Sequence, residues 1–528
     1  MTTISEDAPG MKTGGRLQNG IQRLADNLAD PASSRFTVLC LLAVYVVAWT
    51  VYGAIAQGNQ DLPFDMAEQV AWSRELALGF LKHPPLAAAL VKAWFTVLPV
   101  SDFAYYFLAM LVAAVGLWVA WMLSGEFIGG YKRVAGLALL SLLPVFNFQA
   151  LKYNVNTVLI PLWAATTLWF LRSYLTRNHV YAALAGIGAA GAILGKYWSF
   201  FLLLGLVLAA LTDHRRGRYL RSATPWITVV VGLMALSPHL IWLFNTRLAQ
   251  LSHALAAHPA KPEGVAAESV PIFIAHVLAY AALPVAVTLY FSKTAEGAWR
   301  DILLPRDPNR RWAAIAFWIP LLIPIGAALV AEIEIAAPWT IAAWSLLPIV
   351  LLSSSRIEVS RRAAARLLAV ALVFPLLMVV ISPVIAYVVH REGKVVPSAA
   401  HSRLLAKQVA EQWHQLTTVP LQLVGGDSSL TYGVVTYMPD RPRAYPDLSS
   451  VPQAELDRDG AVAVCYAADS GCIAAARGWF AGDVRSVVSQ IQRTHFGYRG
   501  IPRRYEILLK PPRETAASQA PSLPTAPN

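Results

Sequence analysis

The sequence predicts an α-helical polytopic membrane protein with about eleven membrane-spanning helices and a small C-terminal α/β domain. Three observations predict it. The 528 residues are 56% apolar and only 14% charged, with a mean hydropathy of +0.49. A composition that apolar cannot cover a soluble surface, so lipid must cover much of the chain. Eleven apolar runs pass or approach the ~20 residues with which a helix crosses ~30 Å of hydrocarbon. After residue 390 the apolar runs shorten and turn residues become frequent.

In chain order the runs are 36–56, 102–124, 134–150, 155–171, 180–196, 198–212, 223–244, 271–291, 312–331, 336–353 and 367–389. The pair 180–196 and 198–212 also reads as one re-entrant unit. Residues 1–35 read as a cytoplasmic leader, because the first run begins too late and is too long for a cleaved signal peptide.

The formal charge of +12 lies in short clusters between apolar runs. That pattern speaks for topology and against nucleic acid as a partner. With residue 1 inside, the inner connections 129–133, 172–179, 213–221, 292–311 and 355–366 hold 17 Lys or Arg, and the outer segments hold seven. Short basic loops resist translocation, so this bias fixes the orientation. An odd number of crossings then places residues 391–512 outside. There Cys465 and Cys472 can pair, the other reading being two buried thiols. Cys40 falls within the first run as a small core residue.

The first outer segment, 57–101, is too long for a turn. Ala67, Val70, Ala71, Leu76 and Leu78 recur at roughly helical spacing among charges, predicting an amphipathic helix on the membrane surface that ends at Pro84-Pro85. A second helix follows through Val91, Phe95 and Leu98. The second outer segment, 245–270, with His253, His258, Lys261 and Pro262, reads as a mobile flap. Beyond 390, PLQLVGG (420–426), AVAVCYA (461–467) and YEILLK (505–510) read as strands and SSLTYGVVTYM as a helix. Residues 513–528 read as disordered by composition. No Walker or GxGxxG loop and no zinc-ligand spacing occurs in the sequence.

Candidate chemistry concentrates at the outer face. Asp61, Asp65 and Glu68 fall within eight residues, and Asp65 and Glu68 share a helix face. A carboxylate there can remove the proton of an acceptor hydroxyl. The bland alternative is a solvated or capping cluster. Lys152 and Lys196 stand at outer helix ends, where the charge bias disfavours them, and a phosphate is a natural partner. Snorkelling to the interface is the competing account. His83 in KHPPL and His239 in SPHLIW are further polar candidates for substrate binding, against a structural role. Glu332 and Glu334 occupy a short outer turn.

The stretch DMAEQVAWSRELALGFLKHPPLAAAL, residues 65–90, resembles the first outer loop of family-39-type and aminoarabinose-transferase-like glycosyltransferases of the GT-C fold. That loop typically reads D-E-A-E, an aromatic, then G-Y and H-P-P-L or Q-P-P-L. Asp65, Ala67, Glu68, Trp72, Gly79, His83, Pro84, Pro85 and Leu86 match as they stand, whereas Phe80 replaces the Tyr and Met66 the second acidic residue. Looser likeness runs through 152–163, 194–198 and 238–242.

The resemblance implies a transmembrane GT-C-like domain over 36–390 and a periplasmic domain over 391–512, in a multi-pass protein of the bacterial inner membrane. It implies an enzyme that moves a sugar with inversion from a polyprenyl-phosphate donor to a lipid or glycan acceptor among the membrane lipids. In it Asp65 is the general base and Glu68 supplies a second carboxylate. A rhizobial galacturonosyltransferase-like sub-class is suggested by analogy alone. No cofactor is implied, and a divalent metal is possible without being indicated. The rival class is a lipid-linked sugar flippase or transporter.

Overall fold

The computed structural model describes residues 11–75, 77–250, 252, 265–481 and 484–513. It divides into two compact units, the first comprising residues up to Ile55 with Leu76–Ser382, the second Ala56–Glu75 with residues from Pro383 onward.

The first unit is helical. Among the described residues of the whole chain, seven helices are long and apolar enough to cross a membrane: Ser34–Ala56, Asp102–Ser124, Val155–Thr176, Thr224–Asn245, Val265–Phe291, Pro308–Ala331 and Arg361–Arg391. Four shorter apolar segments, Leu86–Val97, His179–Gly195, Tyr197–Thr212 and Ala337–Leu352, stand between them. Two of the eleven expected spans are changed by proline. The run 134–150 becomes a helix only over Gly130–Leu142, because Leu143 adopts extended geometry ahead of Pro144 and the chain then turns. The run 336–353 is a 3-10 helix over Ala337–Leu346 that relaxes into α only at Leu347–Leu352; Pro348 has no N–H to give to the preceding turn.

Caps and small residues shape the rest of this unit. Ser101 caps Asp102–Ser124 by accepting from the Ala104 N–H, and Asn154 opens Val155–Thr176 with a capping box closed by Thr157. His179–Gly195 and Thr224–Asn245 cross where Gly186 meets Gly232. A Cβ on Gly186 would stand 2.5 Å from the Thr228 carbonyl oxygen, so only glycine permits this approach. The expected leader contains a helix, Met11–Ala29, whose Asp26 takes a two-pronged bond from Arg361 and a 2.9 Å bond from the Tyr131 hydroxyl.

The second unit is a five-stranded sheet in the order Arg443–Ala444, Leu423–Gly426, Ala461–Tyr466, Arg503–Lys510 and Arg485–Ile491. The first three strands run parallel to one another, while Arg503–Lys510 is antiparallel to both of its neighbours. Both faces are covered. Ser402–His414 and Ser428–Tyr437 pack on one side through Leu405, Val409, Trp413 and Val434, and Leu448, Leu456, Ala476 and Phe480 fill the other. The central strands therefore read as continuous apolar runs rather than alternating ones. Cys465 and Cys472 form a disulfide across the turn between Ala461–Tyr466 and Ser470–Phe480.

The outer segment 57–101 departs from expectation. Its first helix spans Phe64–Ser73 and stops well short of Pro84-Pro85, which instead precede the helix Leu86–Val97. It is not an amphipathic surface helix: seven of its ten residues are buried, and Ala71 belongs to the core of the second unit. The flap histidines His253 and His258 and the tail 514–528 lie outside the described residues.

Candidate functional site

In the second unit the acidic cluster separates by environment. Asp61, 1% exposed, accepts from the Arg403 backbone N–H at 3.0 Å and from Arg493 Nη2 at 2.5 Å. It is thereby committed to an internal ion pair. Asp65 stands exposed in the opening turn of Phe64–Ser73, after Pro63, where the positive end of the helix dipole favours a carboxylate. Glu68, one turn on, is only 3% exposed. Phe64 and Trp72 set their ring edges against Tyr432, and burial first and Glu68 second push the Tyr432 hydroxyl up to about 12. Arg74 holds the end of this helix through the carbonyls of Val435 and Pro442, each at 2.8 Å.

In the first unit two of the four predicted residues, Lys196 and His239, are linked through Tyr197. Lys196 terminates His179–Gly195, where the negative end of the helix dipole favours a cation. Its Nζ donates to Asn156 Oδ1 at 2.9 Å and lies 4.6 Å from the Trp339 ring centroid. Asn156 is the second residue of Val155–Thr176, so the ammonium lies against the opening turn of that helix. The next residue, Tyr197, brings its hydroxyl within 2.7 Å of His239 Nε2 and donates to Gln250 Oε1.

His239, 2% exposed, directs Nδ1 at the Leu78 carbonyl, 2.6 Å away, and stacks on Trp242. Trp242 in turn occupies the space beside Gly79, where any Cβ would stand 2.4 Å from the indole. His239 is thus a tie that holds the Leu78–Phe80 loop, with both ring nitrogens engaged.

His83 and Lys152 are not drawn into these bonds. His83 is half-buried, and its carbonyl closes a turn with the Phe80 N–H at 3.0 Å. Lys152 is exposed, next to Tyr153, whose buried hydroxyl donates to the Ala87 carbonyl at 3.0 Å. Asn156, Tyr197, Gln250 and Trp339 are the members that sequence reading missed. Asn156 and Tyr197 lie in the quoted segments 152–163 and 194–198, but nothing in their spacing shows the pairing. Among the described residues no three His, Cys, Asp or Glu side chains are grouped so as to hold a metal ion.

Residues 82–242 match the model of the dolichyl-phosphate-mannose-protein mannosyltransferase family. A curated relative, the lipopolysaccharide core galacturonosyltransferase RgtB of Rhizobium johnstonii, is 28% identical over 209 residues, 39% of this chain and 42% of the relative. The chain thus matches about two fifths of that relative's length. Among solved structures, ArnT from Cupriavidus metallidurans bound to undecaprenyl phosphate superposes with a TM-score of 0.58 at 16% identity, covering 89% of this chain and 97% of ArnT. The apo form of ArnT gives 0.55 at 14% identity over the same shares. The family match holds His83, Lys152, Lys196, Tyr197 and His239, and the multi-pass chain carries the GT-C fold of ArnT.

Proposed function

We propose that this protein is an inner-membrane glycosyltransferase that moves a sugar from a polyprenyl-phosphate donor to an envelope glycolipid or similar acceptor on the periplasmic side. The observation that carries the reading is Lys196: an ammonium set against the opening turn of Val155–Thr176, within the segment that matches a lipid-phosphate-sugar transferase family. A cation and a helix N-terminus together favour an anionic oxygen, and the leaving group of this reaction is a lipid phosphate.

In the transfer the acceptor hydroxyl attacks C1 of the sugar, and the bond from C1 to the phosphate oxygen breaks with its electron pair leaving on phosphate. Asp65 takes the hydroxyl proton, and attack opposite the leaving group inverts C1. Lys196 stabilises the charge that grows on phosphate. His239 positions the Leu78–Phe80 loop and so acts through it; Glu68 is the second carboxylate, and His83 and Lys152 contribute to substrate binding. RgtB and ArnT support the envelope-lipid acceptor and the undecaprenyl-type donor by analogy.

The test is sugar transfer by purified protein in nanodiscs, offered a panel of polyprenyl-phosphate sugars and envelope lipids and read by mass spectrometry of the glycolipids. Asp65→Asn is expected to lower the rate by roughly 10²–10⁴-fold in a folded protein. Lys196→Met should also slow turnover. If no donor yields product while lipid-linked sugar crosses reconstituted vesicles, the flippase reading replaces this one.

A further inference from the structure

The end of the first unit that carries the basic connections contains a pocket unrelated to the residues above. It is an open pocket of about 500 Å³, lined by Arg35, Trp118, Met122, Glu126, Arg133 and Arg172 among others. Three guanidiniums face it against one carboxylate. Glu126 is taken by Arg172, at 2.8 and 2.9 Å. Arg133 spends Nε and Nη2 on the Trp121 carbonyl, at 3.1 and 2.7 Å, and lies over the Trp121 ring at 3.9 Å. Arg35 is exposed and makes no hydrogen bond or ion pair among the described residues, and its charge opposes that of Arg133. Among the described residues the lining therefore carries three positive charges against one negative.

The surface leading into it is apolar. On Asp102–Ser124, Leu111 and Val115 are exposed and Trp118 follows at the next helical step, so one stripe runs down to the pocket. On Ser34–Ala56, Phe36, Leu39, Val44 and Val47 are exposed, beginning one residue from Arg35. An apolar stripe that ends in a net positive cluster beside an indole is the complement of an amphiphile with a phosphate head.

We propose that this pocket binds the phosphate headgroup of an anionic membrane lipid, with the acyl chains lying along the exposed faces of Ser34–Ala56 and Asp102–Ser124. Arg35 and Arg133 face the phosphate, Arg172 is steered by Glu126, and Trp118 covers the glycerol region. The site stands apart from the transfer chemistry and does not depend on it.

The test is native mass spectrometry of the whole protein released from micelles containing phosphatidylglycerol or phosphatidylcholine, with thermal unfolding in parallel. Wild type is expected to retain one phosphatidylglycerol in preference to phosphatidylcholine and to melt higher in its presence. Arg35→Glu should lower that occupancy at least tenfold, and because Arg35 makes no internal bond its fold should persist. Arg311→Glu, an exposed arginine in another basic connection, should leave occupancy unchanged. Equal loss in both variants, or no loss in Arg35→Glu, would overturn the site. Stabilisation by inorganic phosphate with none by phosphatidylglycerol would assign the pocket to a soluble phosphate and overturn the lipid reading.

Discussion

Tyr197 carries more of the local order than its neighbours in sequence suggest. Its hydroxyl joins His239 to Gln250, and the same backbone step delivers Lys196 to Asn156. Tyr197→Phe removes the hydroxyl while keeping the ring, leaving a buried ring nitrogen and a buried amide oxygen without it. The expected loss is about 1–3 kcal/mol, seen as a lower melting temperature in detergent, with a fall in transfer rate as the Leu78 loop loosens. Unchanged melting and unchanged rate would show the bridge to be idle. At this scale the sequence shows charged and aromatic residues at helix ends but not their partners. Asp61 illustrates the limit: it reads as one of three clustered acids, and its true partner, Arg493, lies 432 residues further on. No local pattern encodes such a pairing.

Helices are the scale at which the sequence is most legible, since apolar length and caps are local properties. Asp102–Ser124 falls where the apolar run 102–124 puts it, and the other long helices agree with their runs to within six residues at either end. Disagreement arises where length alone misleads. Hydropathy is blind to Leu143-Pro144 and Pro348, which break two runs, and to Phe64–Ser73 turning its face into a sheet core instead of lipid. The edge strand Arg485–Ile491 escapes reading because most of its residues face solvent, leaving little apolar signal.

The crossing of His179–Gly195 with Thr224–Asn245 offers an element-level test. Gly186→Ala places a methyl against the Thr228 carbonyl and the Gly232 N–H and must push the pair apart. Overpacking of this kind costs about 1–3 kcal/mol. Gly326→Ala, in a helix where nothing lies within 4 Å of the new carbon, serves as reference. Melting temperatures of the two variants should diverge, Gly186→Ala falling well below Gly326→Ala; equal values would refute the close crossing.

For the whole molecule, His401 makes the second unit sensitive to pH. His401 is 4% exposed and bonds through Nδ1 to the Tyr505 hydroxyl at 2.9 Å; burial, then Arg493 and Arg503, push it down to about 4. Its folded value lies below the ordinary 6.5, so between pH 6.5 and 4 the unfolded chain binds a proton that the folded unit refuses. Stability from this group is complete above the upper limit and is lost as the pH falls through the window, by at most about 3 kcal/mol. His401→Gln, which keeps a polar partner for Tyr505 but does not titrate, should flatten that slope in denaturant unfolding read by near-ultraviolet circular dichroism. Parallel slopes for both proteins would remove His401 as the cause.

The sheet unit borrows Ala56–Glu75 from early in the chain, and Ala71 completes its core. A ribosome makes that segment roughly 350–435 residues before the strands of this core, which at roughly 5–20 residues per second is a wait of roughly 17–90 s. During that interval the buried face of Phe64–Ser73 lacks the helix Ser428–Tyr437 and the core that Ala71 joins, so maturation must include a holding step, whether by the bilayer surface or by a chaperone. The same circularity means that residues 391–512 expressed alone would present a bare apolar patch and precipitate. Supplying residues 56–75 as a separate peptide would restore solubility.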